Sequence, residues 1–333
     1  MMMVCFPRQV CRPRSCRPPS TSGCRQAHQP TFNFLPMTSF QFGAGSKKNK
    51  VVFVMGASGT GKSRLGMDLA LRFHGEVVNS DKMQVYDGLD VVTNKVSTEE
   101  RAAVPHHLIG GVHPDADFTA ADFRRAAILA IDGILSRGRV PIVAGGSNSF
   151  IEELVDGENQ AFRAKYECCF LWVDVDLTLL HEFVKDRVDR MVEMGMVDEV
   201  RAVLVPDADS ADCNRGIRRS IGVPEMKEYF IAESSGADSE TLARKLSQAI
   251  EDVKVHTCTL TCGQVFKIRR LKLECGWDIH RVDASKVFDG SSSWEETVVN
   301  PSVELVHSFI FGDEAEEKSA HATAAVELVG AAT

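Results

Sequence analysis

From residue 51 the chain alternates between short unbroken apolar runs and longer stretches in which apolar residues recur every three or four positions. Residues 51–55 are wholly apolar, the pattern of a strand covered on both faces of a parallel sheet. A helical stretch over 62–73 places Leu65, Leu69 and Ala70 on one face. Residues 76–80, 140–144 and 169–175 read as further strands. The stretch 119–137 is strongly amphipathic, with Thr119 as candidate N-cap and Gly138 just past its end. Short strands alternating with helices predict an α/β fold built on a doubly wound parallel sheet.

After residue 176 the pattern becomes mostly helical, over 177–194, 196–205 and about 239–273. The expected organisation is a leader at 1–49, an α/β core at 50–176, and a helical region at 177–283 that covers the substrate and completes the acceptor site. A weakly ordered tail follows at 284–333, where periodicity fades and small and acidic residues accumulate.

Charge sharpens this division. Residues 1–50 carry eight basic residues and no acid, and the first carboxylate is Asp68. The remaining 30 basic residues against 46 acidic ones leave 51–333 with a net charge of −16. A body this acidic repels a long polyphosphate and suits a small anionic substrate, so no nucleic-acid partner is expected. The leader is rich in Arg, Ser, Pro and Thr, the composition of an organelle transit peptide or of a disordered cytosolic tail. The Pro- and Ser-rich stretch 13–22 breaks the amphipathic helix of a mitochondrial signal, which favours the plastid over mitochondrion or cytoplasm. No run approaches the roughly 20 apolar residues of a membrane span, so no membrane partner is expected. The chain is expected to act as a monomer.

Of ten cysteines, four lie in the leader. The other six lack CxxC spacing, so neither a zinc site nor a disulfide framework is indicated. Cys258 and Cys262 read as two small residues on a buried helix face.

Gly56-Ala57-Ser58-Gly59-Thr60-Gly61-Lys62-Ser63 matches GxxxxGK[ST], placed between a strand and a helix as the P-loop mechanism requires. Its backbone N–H groups and helix N-terminus suit phosphate oxygens, Lys62 adds a full charge, and the Ser63 hydroxyl can ligate Mg²⁺. The motif implies a diphosphate or triphosphate without saying which. The second strand then runs into Asn79-Ser80-Asp81, expected beside the P-loop strand at the end where such sheets bind ligands. A carboxylate there can cap a turn, hold a metal through water, or act as a base.

From this point the chain resembles the isopentenyltransferases, which comprise tRNA dimethylallyltransferases and the adenylate enzymes that make cytokinins. The resemblance rests on 79–96, His106-His107-Leu108, 145–150, 187–200, 216–225 and 267–271, in fixed order over roughly residues 50–275. Lys82 after Asp81, Ser147-Asn148-Ser149 in the glycine block, and no zinc-finger spacing after 275 look like the plant adenylate branch.

What the resemblance implies is a P-loop NTPase-like fold in which residues 56–63 hold the diphosphate of dimethylallyl diphosphate, with Mg²⁺ at Ser63. Asp81 would orient the adenine N6 amine of AMP, ADP or ATP and take its proton. Lys62 and Ser147 would assist at the leaving group, and Thr60 would hold a phosphate oxygen or help position N6. Asp174, Arg187, Arg218, Arg219, Lys267 and Arg270 are candidates for the acceptor nucleotide, with Arg190 and Arg269 behind them. Any one of these cations is also explained as a solvated helix face, and only two or three are expected to touch substrate. Of His106 and His107 at most one faces the site, and Asp176 reads equally well as a helix cap. Relatives often have Arg where this chain has Gly263, a residue that costs a helix interior about 1 kcal/mol relative to Ala. The competing readings are a tRNA dimethylallyltransferase, a small-molecule P-loop kinase, and a nucleotide-binding module without turnover.

Overall fold

A computed structural model of the chain describes residues 48–204 and 212–312. The expected leader and the end of the tail lie outside the described residues. Six parallel strands form one sheet in the order β3-β2-β4-β1-β5-β6. They are β1 (Asn49–Gly56), β2 (Gly75–Asn79), β3 (His106–His107), β4 (Val140–Ala144), β5 (Tyr166–Asp174) and β6 (Ile279–Asp283). Val51 to Met55 of β1 are fully buried, as an unbroken apolar run in a central strand requires. Val52 pairs with Ile142 of β4 on one side and Cys169 of β5 on the other.

The connections explain where a ligand can enter. From β1 the chain crosses through α1 (Lys62–Arg72) outward to β2. It returns through α3 (Ala120–Ser136) to β4, then crosses β1 through α4 (Asn148–Lys165) to β5. Crossovers of one hand running in opposite directions put α1 on one face of the sheet and α3 and α4 on the other. The connections diverge after the neighbouring strands β1 and β4, and the crevice at their C-terminal ends is the switch point of a doubly wound sheet. The α/β expectation therefore holds, with one correction. β2, which carries the chain to Asp81, does not adjoin β1, because β4 intervenes.

Local signals behave as expected. Thr119 caps α3 in a reciprocal capping box with Asp122, and Asp176 caps α5 (Leu177–Glu193) by accepting from Thr178 and Leu179. After α5 come α6 (Met196–Leu204), α7 (Val223–Ser234) and the 35-residue α8 (Ser239–Leu273). Position 205, the expected end of α6, lies outside the described residues. These helices bury a second apolar cluster, in which Met196, Val200, Met226 and Phe230 meet Val85, Tyr86 and Leu89 from the loop after β2. The main cluster surrounds the sheet. α5 and α8 contribute to both clusters and wall the crevice between them.

Two further expectations are corrected. Residues 284–312 are not a weakly ordered tail. A short helix α9 (Ser285–Phe288) leads to helical residues 294–312, with Val298, Val299 and Val306 buried in the main core. Asn300-Pro301 reads as a helix stop, yet the helix passes through it. Just ahead of the proline the ladder widens into a π-turn over Glu295–Val299. The second correction concerns the cysteines of α8. Its buried stripe runs through Thr257, Thr261, Gln264 and Ile268, so Cys258 falls at the stripe's edge and Cys262 is exposed.

Candidate active site

The P-loop is closed by its own carbonyl. Ala57 O accepts from Thr60 N (3.3 Å), Thr60 Oγ1 (3.0 Å) and Lys62 Nζ (3.0 Å). Gly61 ends the loop at φ +89° as N-cap of α1, a conformation open to glycine at no side-chain cost. The first turn of α1 then presents backbone N–H groups and the positive end of a helix dipole to the crevice.

Opposite stands the turn after β2. Asn79 Oδ1 accepts from Asp81 N and Asp81 Oδ1 accepts from Met83 N, both at 2.9 Å, so the carboxylate is fixed by its own Asx turn. The glycine pair after β4 lets this turn come close. A Cβ on Gly145 would lie 2.4 Å from the Ser80 carbonyl carbon and 2.6 Å from Asp81 N. Ser147 completes the junction, with Oγ accepting from Lys82 N at 2.8 Å and N donating to Ser80 O at 3.2 Å.

The third wall is helical. Arg187 of α5 donates from Nη2 to Ser58 Oγ at 2.9 Å, while its buried Nε has no partner. Gln264 of α8 accepts from Ser58 N at 2.7 Å and donates to Gly146 O at 2.9 Å. Arg219 reaches Tyr86 OH at 3.1 Å, and Lys267 and Gly263 face the same space. The walls enclose a cleft of about 720 Å³. Met83, Val92, Phe183, Val188, Met191 and Leu260 give it an apolar side.

Among the described residues, five cations line this cleft (Lys62, Lys82, Arg187, Arg219 and Lys267) against a single carboxylate, Asp81. In a body of net charge −16 such an arrangement is a site for an anion carrying several charges. Burial lowers Lys62 to about 8, opposed by the charge of Asp81 and reinforced by Arg187. Burial likewise pulls Arg187 below its ordinary range, against the attraction of Asp81. Lys82 is lowered by burial and by the charges of Arg219 and Lys267. An incoming polyanion relieves all three.

The sequence candidates divide cleanly. Ser58, Gly59, Gly61, Lys62, Ser63, Asp81, Ser147, Arg187, Arg219 and Lys267 line the cleft. Gly56, Ala57 and Thr60 do not. Thr60 is 1% exposed and its hydroxyl is turned into the loop, so it braces the cradle from behind. Three acceptor candidates are corrected. Asp174 is buried at the β5–β6 edge and paired with Arg281 Nε at 2.6 Å. Arg218 faces Asp115 at 3.4 Å, and Arg270 is paired with Glu152 at 2.5 Å on the outside of α8. In each case a nearer partner on another element outcompetes the cleft. Arg190 lies over the Phe183 ring and Arg269 is exposed. Neither histidine reaches the cleft, because His107 pairs with Glu76 and His106 with the Val104 carbonyl. Lys82, Gln264 and Phe183 are cleft residues that the sequence reading did not place. The buried-stripe spacing of α8 was the available signal for Gln264.

The residues present fit Mg²⁺ only together with a phosphate ligand. Among the described residues no group of three or more His, Cys, Asp or Glu side chains could hold a metal by itself. Ser63 nevertheless offers an exposed hydroxyl at the cradle, the hard oxygen donor that a Mg²⁺ shared with phosphates and water requires.

Comparison with known proteins agrees with this geometry. The IPP transferase family profile matches residues 84–165 and 158–270. Adenylate isopentenyltransferase 5, chloroplastic, of Arabidopsis thaliana is 54% identical, with 79% of this chain and 81% of the relative covered. Adenylate isopentenyltransferase 7, mitochondrial, of the same plant is 47% identical (79% and 80% covered). The adenylate isopentenyltransferase of Humulus lupulus is 41% identical (77% and 89%). Among solved structures, a eukaryotic dimethylallyltransferase acting on tRNA superposes with a TM-score of 0.68 at 23% identity, covering 79% of each chain. The tRNA isopentenylpyrophosphate transferase of Bacillus halodurans gives 0.61 at 23% identity (82% and 100% covered). At that identity these two structures speak for the fold.

Proposed function

The chain belongs to the IPP transferase family, and from that premise we infer that it transfers the dimethylallyl group of dimethylallyl diphosphate to N6 of AMP, ADP or ATP. Diphosphate is released, and the product opens cytokinin biosynthesis. The observation that carries this reading is one carboxylate, Asp81, fixed across the cleft from a buried phosphate cradle inside a ring of five cations. The relatives from 41% to 54% identical are named as adenylate enzymes, which supports a nucleotide rather than tRNA as acceptor.

The chemistry follows from the placement of charge. Adenine N6 is a weak nucleophile because its lone pair is delocalised into the ring. Transfer therefore depends on weakening the allylic C–O bond of the donor, which puts negative charge on the departing diphosphate. Lys62, Arg187 and the amides that open α1 are preorganised for that charge in a site shielded from water. Mg²⁺ at Ser63, shared with the diphosphate oxygens, would add Lewis-acid stabilisation. As the N6–C bond forms, Asp81 accepts the N6 proton. Ser147 Oγ orders the Asp81 turn by accepting from Lys82 N, and its own O–H remains to donate toward the leaving group. Lys82, Arg219 and Lys267 form a second cationic wall for the phosphates of the acceptor. The apolar side suits the prenyl chain and the face of the purine.

The basic, acid-free leader and the chloroplastic and mitochondrial names among relatives support an organelle enzyme, and we assign the plastid. Import of a fluorescent protein fused behind residues 1–50 tests the address. The activity is tested by incubating the full chain with Mg²⁺, dimethylallyl diphosphate and, separately, AMP, ADP, ATP or tRNA. Prenylated nucleotide is the expected product. Prenyl transfer to tRNA alone, or γ-phosphate transfer from ATP, would overturn the reading.

A further inference from the structure

We propose that Trp294 is a positioning residue for the donor diphosphate, holding the glycine that ends the phosphate loop. The proposal rests on the reading that this loop binds the diphosphate of the donor. Gly61 is the N-cap of α1 and has no side chain with which to cap it. A Cβ built on Gly61 would lie 2.5 Å from Trp294 Cη2 and 2.8 Å from Cζ3, so the indole edge presses directly on the loop backbone.

The ring is fixed from two other directions. Its Nε1–H donates to Asp68 Oδ2 at 2.8 Å, and the Arg64 guanidinium stacks 4.8 Å from the ring centroid. Both partners belong to α1, the helix whose first amides face the cleft. Trp294 is 8% exposed. The residue after it, Glu295, pairs with Arg72 at the far end of α1 at 2.5 Å. The helical segment is anchored beyond by Val298, Val299 and Val306 in the core. The π-turn over Glu295–Val299 follows the tryptophan immediately, a local distortion often found where a helix presents a functional group.

The physical consequence concerns preorganisation. A glycine at positive φ is a conformationally permissive link in the loop, and a phosphate cradle works only while its amides stay aimed at one point. The indole removes the space into which Gly61 could relax. Without it, part of the diphosphate binding free energy would be consumed in ordering the loop. Trp294 touches neither substrate nor the reacting atoms, so its effect falls on donor affinity.

The test is the Trp294→Leu protein with Trp294→Phe beside it. For Trp294→Leu the expected result is a rise of about tenfold or more in KM for dimethylallyl diphosphate and in Kd for inorganic diphosphate. At saturating donor kcat stays within about threefold of the parent, and the acceptor KM is unchanged. Trp294→Phe, which keeps an aromatic edge but loses the bond to Asp68, is expected to weaken diphosphate by about threefold. Intrinsic fluorescence adds a second readout. Diphosphate should change the emission of the parent protein and not that of Trp294→Phe, because Trp294 lies against Gly61 whereas Trp172 sits under Arg281 and Trp277 packs on Phe170. Parental diphosphate affinity in Trp294→Leu overturns the proposal. Should that variant not fold, parental affinity and an undiminished fluorescence change in Trp294→Phe overturn it instead. A parent protein that binds no diphosphate would remove the functional reading together with this inference.

Discussion

The side-chain amide of Gln264 joins two loops of the cleft, taking the Ser58 N–H on its oxygen at 2.7 Å and giving its own N–H to the Gly146 carbonyl at 2.9 Å. The backbone carbonyl of the same residue accepts from Asn148 Nδ2 at 3.0 Å. One position on α8 thus sets the distance between the P-loop and the glycine pair that carries the Asp81 turn.

Gln264→Leu preserves side-chain volume but strands a loop N–H and a carbonyl. The expected cost is about 1–3 kcal/mol of stability, because each group loses a buried partner. The donor KM should rise as well, since the two loops are no longer held in register. Thermal unfolding and steady-state kinetics check both. A protein with parental melting temperature and parental KM would show that the amide bridge is incidental.

Asp81→Asn separates proton acceptance from geometry. Asparagine can still accept from Met83 N, so the turn should persist, whereas it cannot take a proton from N6. Prenyl transfer should fall by about 10²–10⁴-fold, the span of general-base contributions, while inorganic diphosphate binds as before. Retained turnover would remove Asp81 from the role of base.

Gly145→Ala addresses the close approach of the loops that follow the paired strands β2 and β4. The added methyl meets backbone atoms of Ser80 and Asp81, which cannot swing aside as a flexible side chain would. The expected outcome is a loss of stability of about 1–3 kcal/mol from overpacking, with residual activity lower than that loss accounts for because Asp81 is displaced. Activity per folded molecule, measured well below the melting temperature, separates the two effects.

Lys267→Gln and Arg270→Gln form a matched pair on one helix. Lys267 faces the cleft, whereas Arg270 is held by Glu152 on the outside. Acceptor KM should rise about tenfold for the first, as expected for loss of one charge-assisted phosphate contact, and stay within about twofold for the second. Equal effects would place the acceptor phosphates elsewhere.

That pair also shows how far the sequence could be read. Apolar runs and caps located β1, β4, α3 and α5 closely, because they depend on neighbours within a few positions. The P-loop was legible from its spacing, whereas Asp81 was singled out by the resemblance, since spacing alone left it a turn cap, a metal contact or a base. Arg270 and Asp174 were not separable from Lys267 and Arg187, because only the fold brings Glu152 and Arg281 close enough to claim them. The segment 294–312 was missed because periodicity fades after residue 284 and small and acidic residues accumulate toward the end. Its π-turn and its packing against α1 appear only in three dimensions.

The last expectation concerns pH and rests on Lys62. Burial holds this ammonium at about 8 in the folded protein, against an ordinary value of 10.5. Below pH 8 both folded and unfolded chains carry the proton, and the cost of burying the charge is fully present. Between 8 and 10.5 the folded protein sheds the proton while the unfolded chain keeps it, so this group makes stability rise with pH across that window. Donor binding runs the other way, because diphosphate requires the ammonium and must draw the proton back. More proton should be taken up on binding diphosphate at pH 9 than at pH 7, since the site is already charged at the lower pH. Titration calorimetry in buffers of different ionisation enthalpy measures this uptake directly. Lys62→Arg keeps the charge and cannot titrate in this range, so the rise in uptake from pH 7 to pH 9 should be much smaller than in the parent. Equal uptake at pH 7 and 9 in the parent, or a rise that persists undiminished in Lys62→Arg, would show that the proton belongs to another group and that Lys62 is not the charge on which the diphosphate settles.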